Sequence, residues 1–460
     1  MNNEALERLL AQQRSYFASG KTRSIHWRVE QLKKLKQAII KYEPDILDAL
    51  HADIGKPPMQ AYGSEIFLCL HEINNALKKI HCWTRAQRVS TPWYMLPARS
   101  EIVYEPYGVA LIISPWNYPV QLTFLPLIGA IAAGNCAIIK PSEFSPVTSS
   151  LLAKIIAEYF DPEYVMVVEG DAHRAELLLE QKFNYIFFTG SPKVGSLVMQ
   201  AAAKQLTPVT LELGGKNPCI VNADCDLDAA AKRIVAGKFT NVGQSCVAPD
   251  YLFVHHSIKR QFIENLKKYI VLFYGQDPAA NHDYPNIVTP EHVDRLAGLI
   301  QGANVLMGGT YDRQKRYFAP TLIELGELFA QHPSMQGEIF GPILPIIEYE
   351  TIDYALGYIT SKPKPLAFYL FTNDKKLQNT IINQTSSGGV CINNISLQAA
   401  NLNLPFGGVG RSGIGHYHGK YSFLTFSHAK PIVKGSNWFD KPLYKSRSPL
   451  LKKFLDWVVR

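Results

Sequence analysis

The chain has 460 residues, enough for two or three domains with large cores, and its 47% hydrophobic and 19% charged composition is that of a globular protein. Its seven cysteines are odd in number and scattered, with no C-x-x-C pair, which argues against a disulfide framework and a zinc site and for a reducing compartment. The net charge is +8, and over residues 430–460 eight basic residues stand against two acidic ones, so the excess is a tail feature and not a nucleic-acid footprint.

Residues 1–20 carry charges and lack an apolar run with a cleavage site, so no secretory signal is expected. No apolar run is long enough to span a bilayer as a helix. Leu6, Leu9, Leu10 and Phe17 fall at helical spacing, and Gly20 closes that helix. A longer amphipathic stretch, marked by Trp27, Leu32, Leu35, Ile39, Ile40 and Leu47, is broken or kinked at Pro44. A further helix is expected over 62–85. Residues 92–107 change character. Val103 and Tyr104 stand among Pro92, Pro97 and Pro106, which predicts a strand or hairpin with edge prolines.

Val109-Ala110-Leu111-Ile112-Ile113 is a short unbroken apolar run, as a buried parallel strand requires. It ends in the loop Ser114-Pro115-Trp116-Asn117-Tyr118-Pro119. Three more such runs follow. One ends at Lys140-Pro141-Ser142-Glu143, the next at Glu169-Gly170-Asp171, and the last at Thr189-Gly190-Ser191. Four strand-loop-helix repeats predict a doubly wound α/β sheet, which binds ligands at the carboxyl ends of its strands. The G-x-G-x-x-G dinucleotide pattern is absent. Gly190 and Gly195 instead bracket a predicted helix start, where backbone amides can hold a pyrophosphate. An ordinary strand-to-helix turn reads the same way. Lys140, fixed by Pro141, can donate to ribose hydroxyls and Glu143 can accept from them; a carboxylate there disfavours a 2′-phosphate. The same two residues also read as a surface ion pair.

Alternation continues after 212, with helices over 226–238 and 258–274, strands near 218–221, 251–255, 305–310, 317–325, 366–372 and 389–393, and a loop running into a strand over 340–347. This second α/β unit carries Gly243-Gln244-Ser245-Cys246-Val247-Ala248-Pro249-Asp250. Across the predicted helix stands Thr210-Leu211-Glu212-Leu213-Gly214-Gly215-Lys216. A thiol with a carboxylate base nearby suits covalent catalysis at a carbonyl carbon. Alone, Cys246 reads equally as a small buried hydrophobe. Residues 401–415 form a glycine-rich loop, either packed or a mobile connector. Phe423-Leu424-Thr425-Phe426 is expected to be a strand paired with the Val103 hairpin. Ser448-Pro449 reads as a helix start. Beyond it Leu450, Leu451, Phe454, Leu455 and Val458 line one face of a short basic amphipathic helix, suited to docking on the body, covering a substrate entrance or touching a membrane surface.

Seven motifs in one order then resemble the aldehyde dehydrogenase superfamily, within it the class 3 and fatty-aldehyde branch. They are ISPWNYP (113–119), GNCAIIKPSE (134–143), IFFTGS (186–191), VTLELGGK (209–216), GQSCVAPDY (243–251), EIFGP (338–342) and PFGGVGRSG (405–413). The resemblance implies two Rossmann-like α/β domains, one binding NAD(P) and one catalytic, plus a small β bridging element. The expected boundaries are 1–86 with 108–210, then 211–400, then 87–107 with 420–440, and a tail over 441–460. It implies Cys246 as nucleophile, Glu212 as general base, and Asn117 with the Cys246 N–H as oxyanion donors. Lys140 and Glu143 match adenosine-ribose contacts. Gly190, Ser191, Val194 and Gly195 match the pyrophosphate cradle. Ser114, Trp116, Leu213, Glu338 and Phe340 match further cofactor contacts, Trp116 and Phe340 reading also as plain core aromatics. Tyr118 and Phe406 are expected at the substrate pocket. NAD is the expected cofactor with NADP open, no metal is expected, and a homodimer, cytoplasmic or peripheral to a membrane, is implied. Pro192-Lys193 departs from the commoner family pattern and leaves the phosphate contacts open. Two rivals remain: an acylating enzyme that passes the thioester to coenzyme A, and a binding fold without catalysis. Glu212 argues against the first and the intact residue set against the second.

Overall fold

The computed structural model describes residues 3–437 and 449–459. The strands, in chain order, are β1 (Gln87–Val89), β2 (Arg99–Pro106), β3 (Val109–Ile113), β4 (Cys136–Lys140), β5 (Val165–Val167), β6 (Tyr185–Gly190), β7 (Val209–Leu213), β8 (Pro218–Val221) and β9 (Tyr251–His255). They continue with β10 (Asn304–Met307), β11 (Tyr311–Asp312), β12 (Tyr317–Phe318), β13 (Thr321–Leu325), β14 (Ile343–Tyr349), β15 (Ala367–Phe371), β16 (Gly389–Ile392), β17 (Gly413–Ile414) and β18 (Ser427–Lys434).

The four apolar runs become β3 to β6, and β3 and β4 are buried at every position, as strands covered on both faces must be. The first sheet has the order β17-β7-β6-β3-β4-β5, parallel except for β17. From β3 the chain winds outward to β4 and β5, then crosses back to β6 and β7. The reversal falls between β3 and β6, so the loops after these two strands flank a crevice where such a sheet binds its ligand. Those are the loops that begin at Ser114 and Ser191.

The second sheet has the order β10-β13-β14-β9-β8-β15-β16. On β9, Tyr251 and Phe253 enter one core while Leu252 and Val254 enter the other, the period-two alternation of a strand between two apolar layers. Only residues 214–217 separate β7 from β8. The chain thus leaves the carboxyl edge of the first sheet and enters the amino edge of the second. Residues 243–250, 338–342 and 214–217 all lead into strands of the second sheet at that edge.

The expected division at 210/211 falls inside β7. Parallel pairing with β6, Thr189 opposite Glu212, places the Glu212 strand in the first sheet. The glycine-rich loop returns there as well, with Gly413 opposite Glu212 in β17. It is packed: a Cβ at Gly408 would lie 2.0 Å from the Ser412 carbonyl oxygen.

Pro44 sits in the first turn of the helix Glu43–Ile54, so the break expected there is real. The helix expected over 62–85 begins with a π-turn, Tyr62–Ile66, and continues as Phe67–Trp83. One expectation fails. Residues 423–426 are not a strand; Lys420–Thr425 is a helix and the strand is β18, with Lys430 opposite Val103. Phe423 and Phe426, three apart, both turn into the core at 1% and 0% exposure, and Ser422 packs against Gly129, where a Cβ would lie 2.8 Å from it. Aromatic spacing of three suits a helical turn once a glycine lets it approach. With β1 and β2, β18 makes the small separate sheet.

Pro449–Val459 forms the expected tail helix, with Leu455 and Trp457 45% and 76% exposed. Its expected cap, Ser448, lies outside the described residues. Among the described residues no helix is long and apolar enough to cross a membrane, and no cluster of residues is set to hold a metal ion.

Candidate active site

Cys246 sits between two cavities and lines both. One, of about 390 Å³, is bounded by Trp116, Gly190, Ser191, Glu212, Glu338 and Phe340. The other, of about 420 Å³, is bounded by Leu68, Tyr118, Ile395, Phe406, Tyr417 and His418. The thiol is therefore reachable from a cleft at the carboxyl edge of the first sheet, where the carboxylates Glu212 and Glu338 stand, and from a second, also largely apolar cavity, the tunnel.

The segment before the thiol is tightly specified. Asn241, Val242 and Gly243 have φ of +52°, +55° and +70°, left-handed backbone that costs a β-branched residue most. Gly243 must be glycine, because a Cβ there would lie 2.3 Å from the Gly341 carbonyl oxygen. Asn217 holds the other side, its amide donating to the carbonyls of Cys246 (2.7 Å) and Ala248 (2.9 Å) while its oxygen accepts from Ala367 N–H. Gln244 ties the loop to residues 286–288 through Asn286 O and Val288 N.

Asn117 is 2% exposed, and its amide donates to the Gln244 carbonyl at 3.1 Å, which brings it beside the cysteine loop. Its own carbonyl accepts from Lys56 and Asn241, each at 3.0 Å. Lys56 is buried and paired with Glu65, whose second oxygen accepts from the Val120 and Gln121 N–H groups at 2.8 and 3.1 Å. A buried lysine and carboxylate thus clamp the Asn117 loop to the helix that follows it. Removing one partner strands the other's charge. Lys56→Met is expected to cost about 3 kcal/mol, the low end for a broken buried pair because Glu65 keeps two N–H donors. Denaturant unfolding of both proteins measures it.

Glu212 is 4% exposed, and neither carboxylate oxygen has a hydrogen-bond partner. Burial alone pushes its carboxyl well above the usual range. Burial also raises the Cys246 thiol to about 12, with Glu338 and Glu212 adding to it, against the backbone N–H groups of Cys246 and Val247, which favour the thiolate. Glu338 is pushed up to about 8, chiefly by burial and then by Asp250. Acid and thiol are therefore both held toward their protonated forms. Because the thiolate fraction of a group with so high a pKa grows with pH, kcat/KM is expected to rise between about pH 7 and 9. A profile that is flat or falling there contradicts this electrostatic picture.

Glu338 packs so closely on Gly214 that a Cβ there would lie 1.9 Å from its Oε2, and its Oε1 has no partner. Lys216 braces this segment by pairing with Asp250 and donating to the Ser334 and Gly337 carbonyls at 2.6 and 3.1 Å. Arg295 donates to the Ile339 carbonyl at 2.7 Å. Phe340, at φ +46°, sets its ring edge-on to Trp116 at 5.5 Å across the cleft.

Ser191 caps the helix Pro192–Ala203 by accepting from Val194 N–H at 3.3 Å. Gly195 lets that helix close on β7, since a Cβ there would lie 2.5 Å from Leu213 Cδ2. Lys140, at the end of β4, donates to Pro141 O (2.8 Å) and Glu143 Oε2 (3.2 Å). Of the expected cofactor residues, Ser114, Lys140, Glu143, Val194, Gly195 and Leu213 do not line the cleft; the Ser114 hydroxyl shares a 2.6 Å hydrogen bond with Thr123. Tyr118 and Phe406 line the tunnel. Sequence reading missed Lys56, Glu65, Asn217, Arg295 and His418, and gave Lys216 and Asp250 no role of their own within their motifs. All but His418 act through a distant partner, which no local pattern marks.

A doubly wound sheet with a cleft at its switch point, and a thiol between that cleft and an apolar tunnel, define a nucleotide-dependent α/β enzyme built around a reactive cysteine. The chain belongs to the aldehyde dehydrogenase family, whose family model matches residues 1–432. It is 46% identical to the 4,4'-diaponeurosporen-aldehyde dehydrogenase of Staphylococcus aureus over 98% of this chain and 99% of that one. It is 44% identical to the dimeric NADP-preferring aldehyde dehydrogenase of Rattus norvegicus, over 95% and 96% of the two chains. Among solved structures, the substrate-bound state of Staphylococcus aureus AldH matches with a TM-score of 0.96 at 45% identity, covering 99% of each chain. A glyceraldehyde-3-phosphate dehydrogenase from Methanocaldococcus jannaschii complexed with NADP matches at 0.84 and 26%, covering 95% of each. The chain is thus an NAD(P)-dependent oxidoreductase that acts on aldehydes.

Proposed function

We propose that Cys246, Glu212 and Asn117 carry this reaction, on medium or long aliphatic, or aromatic, aldehydes. The observation that carries the reading is the thiol exposed to two cavities at once, with a partnerless buried carboxylate on the cleft side. The tunnel delivers the aldehyde. The Cys246 sulfur adds to the carbonyl carbon and its proton leaves for a base, Glu212 being the one at hand. The resulting oxyanion accepts from the Asn117 amide and the Cys246 N–H. The residues at and around the cleft fit a dinucleotide: Glu338 offers a free buried oxygen to ribose hydroxyls, the capped helix start offers amides to phosphates, and Lys140 and Glu143, outside the cleft lining at the end of β4, offer a donor and an acceptor. When bound, the nicotinamide supplies the hydride acceptor that turns the thiohemiacetal into a thioester. Glu212, once it has released the thiol's proton to solvent, takes a proton from water, whose oxygen attacks the thioester; the C–S bond breaks, the acid leaves and the sulfur takes that proton back from Glu212.

Glu143 favours NAD, and two relatives are named NADP-preferring, so both are assayed. The test is absorbance of the reduced nicotinamide with decanal and benzaldehyde, each with NAD and with NADP. Turnover ranks substrate and cofactor; no turnover with any combination overturns the reading.

A homodimer joined through the small sheet follows from the exposed aromatics Trp93 and Tyr94, 49% and 47%, beside the exposed strand β18. Sedimentation of the protein decides it, a monomer at micromolar concentration counting against. A cytoplasmic enzyme that touches membranes through its basic tail rests on the exposed Leu455 and Trp457 and on the charge of residues 430–460. Flotation with anionic vesicles tests it, unaltered flotation after deletion of 441–460 being the adverse result.

A further inference from the structure

Of the polar side chains on the tunnel wall, one is buried with no hydrogen-bond partner, and the reaction does not use it. His418 is 3% exposed and lines the same cavity as Cys246. Neither of its ring nitrogens has a hydrogen-bond partner. The Ala399 carbonyl lies near and favours a protonated ring, but burial outweighs it and lowers the imidazole to about 4. The ring is therefore neutral at working pH, with one N–H to give and one lone pair to accept. Two larger polar groups on the wall are engaged: Arg233 donates to the Asn393 carbonyl at 2.6 Å, and Tyr118 shares a hydrogen bond with Ser245.

The ring is also held in place with some force. His418 is a non-glycine residue at φ +80°. Its N–H donates to Ser422 Oγ at 2.9 Å, and the next N–H, of Gly419, donates to the buried carboxylate Glu72 Oε1 at 2.8 Å. Ser422 Oγ in turn donates to the same oxygen at 3.3 Å. The imidazole lies flat on Phe406, centroids 5.0 Å apart, and meets Tyr417 edge-on at 4.3 Å. A backbone that pays strain to aim a partnerless ring into a ligand cavity is unusual unless the ligand completes the pair.

We infer that His418 is a specificity-determining residue, hydrogen-bonding a neutral hydroxyl carried on the chain of the aldehyde, away from the reacting carbon. The inference rests on the proposed role of the tunnel. The carbonyl oxygen is served by Asn117 and the Cys246 N–H, so the group that reaches His418 is a second oxygen. A neutral ring with one donor and one acceptor matches a hydroxyl, which has both. Purely alkyl aldehydes still enter but leave the imidazole unpaired, and a site built to bond a hydroxyl discriminates against its absence.

The test compares nonanal with a series of hydroxynonanals, the hydroxyl at successive positions, by kcat/KM in the wild type, His418→Phe and His418→Asn. Phenylalanine keeps the stacking on Phe406 and Tyr417 and removes the hydrogen bond; asparagine tolerates the positive φ and keeps a donor and an acceptor. For at least one isomer, the ratio of hydroxylated to plain substrate is expected to fall about tenfold in His418→Phe and to be partly restored in His418→Asn. A ratio that does not change between wild type and His418→Phe at any position overturns the inference and leaves the ring a packing element. Calorimetric titration with nonanol and the matching diols reads the same ratio in dissociation constants without turnover. An enzyme that oxidises none of the aldehydes yet still prefers a diol through His418 would overturn the proposed chemistry and support this inference. Equal affinity for nonanol and every diol would overturn the inference alone.

Discussion

Replacing Cys246 by alanine is expected to lower turnover by roughly 10⁴-fold or more, because no other group on the tunnel can form the covalent bond on which the hydride step depends. Cys246 and Leu122 line both cavities, and of the two the thiol is the nucleophile. Cofactor binding is expected to persist, since the amides after Ser191, Lys140 and Glu338 belong to segments fixed independently of the thiol. Lys216 and Arg295 brace the Glu338 segment, and Ser191 and Gly195 fix the helix start. Isothermal titration with NAD beside the aldehyde assay separates the two effects. Turnover that survives the substitution sinks the covalent mechanism; lost NAD binding would show that the cysteine loop also shapes the cleft. The alanine also removes a buried thiol held near a pKa of 12, so unfolding measurements should show the variant folded.

The parts of this site that depend on local pattern were legible in the chain. β3, β4 and β6 announce themselves as unbroken apolar runs, because a strand covered on both faces needs no alternation. The loops at their carboxyl ends then follow from the winding of the sheet. Glu212 was legible as a residue but not as a member of the first sheet. The division between the sheets lies in residues 214–217, and hydrophobicity does not change there. The helix Lys420–Thr425 was read as a strand because Phe423 and Phe426 suit either state; the close approach allowed by Gly129 decided between them. Lys56 and Glu65 were invisible for a different reason. Lys56 lies 61 residues from Asn117, and a lone lysine in sequence is a surface residue by default. Only the fold shows that it is buried, paired and pointed at the carbonyl of the oxyanion donor. His418 was equally silent, since its significance lies in what it fails to touch.

Glu212→Gln is expected to separate the two halves of the reaction. Glutamine has nearly the shape of glutamate, and neither oxygen of Glu212 holds a partner whose loss would disturb the fold. The amide cannot take a proton from water, so release of the acid should slow by about 10²–10⁴-fold, the usual worth of a positioned general base. The thiol can still reach the aldehyde through the tunnel and lose its proton more slowly to solvent. One equivalent of reduced nicotinamide should therefore form in a burst, followed by a slow steady state, with an acyl group on Cys246 visible in the intact mass. Burial makes this outcome sharper. The carboxyl of Glu212 is held well above its usual range, so the wild-type rate should climb with pH as its base form appears, and the variant should lose that dependence in the release step. Added coenzyme A should leave the slow phase unchanged if water is the acceptor. A slow phase accelerated by coenzyme A would favour the acylating reading, and an absent burst would place the role of Glu212 before the thioester.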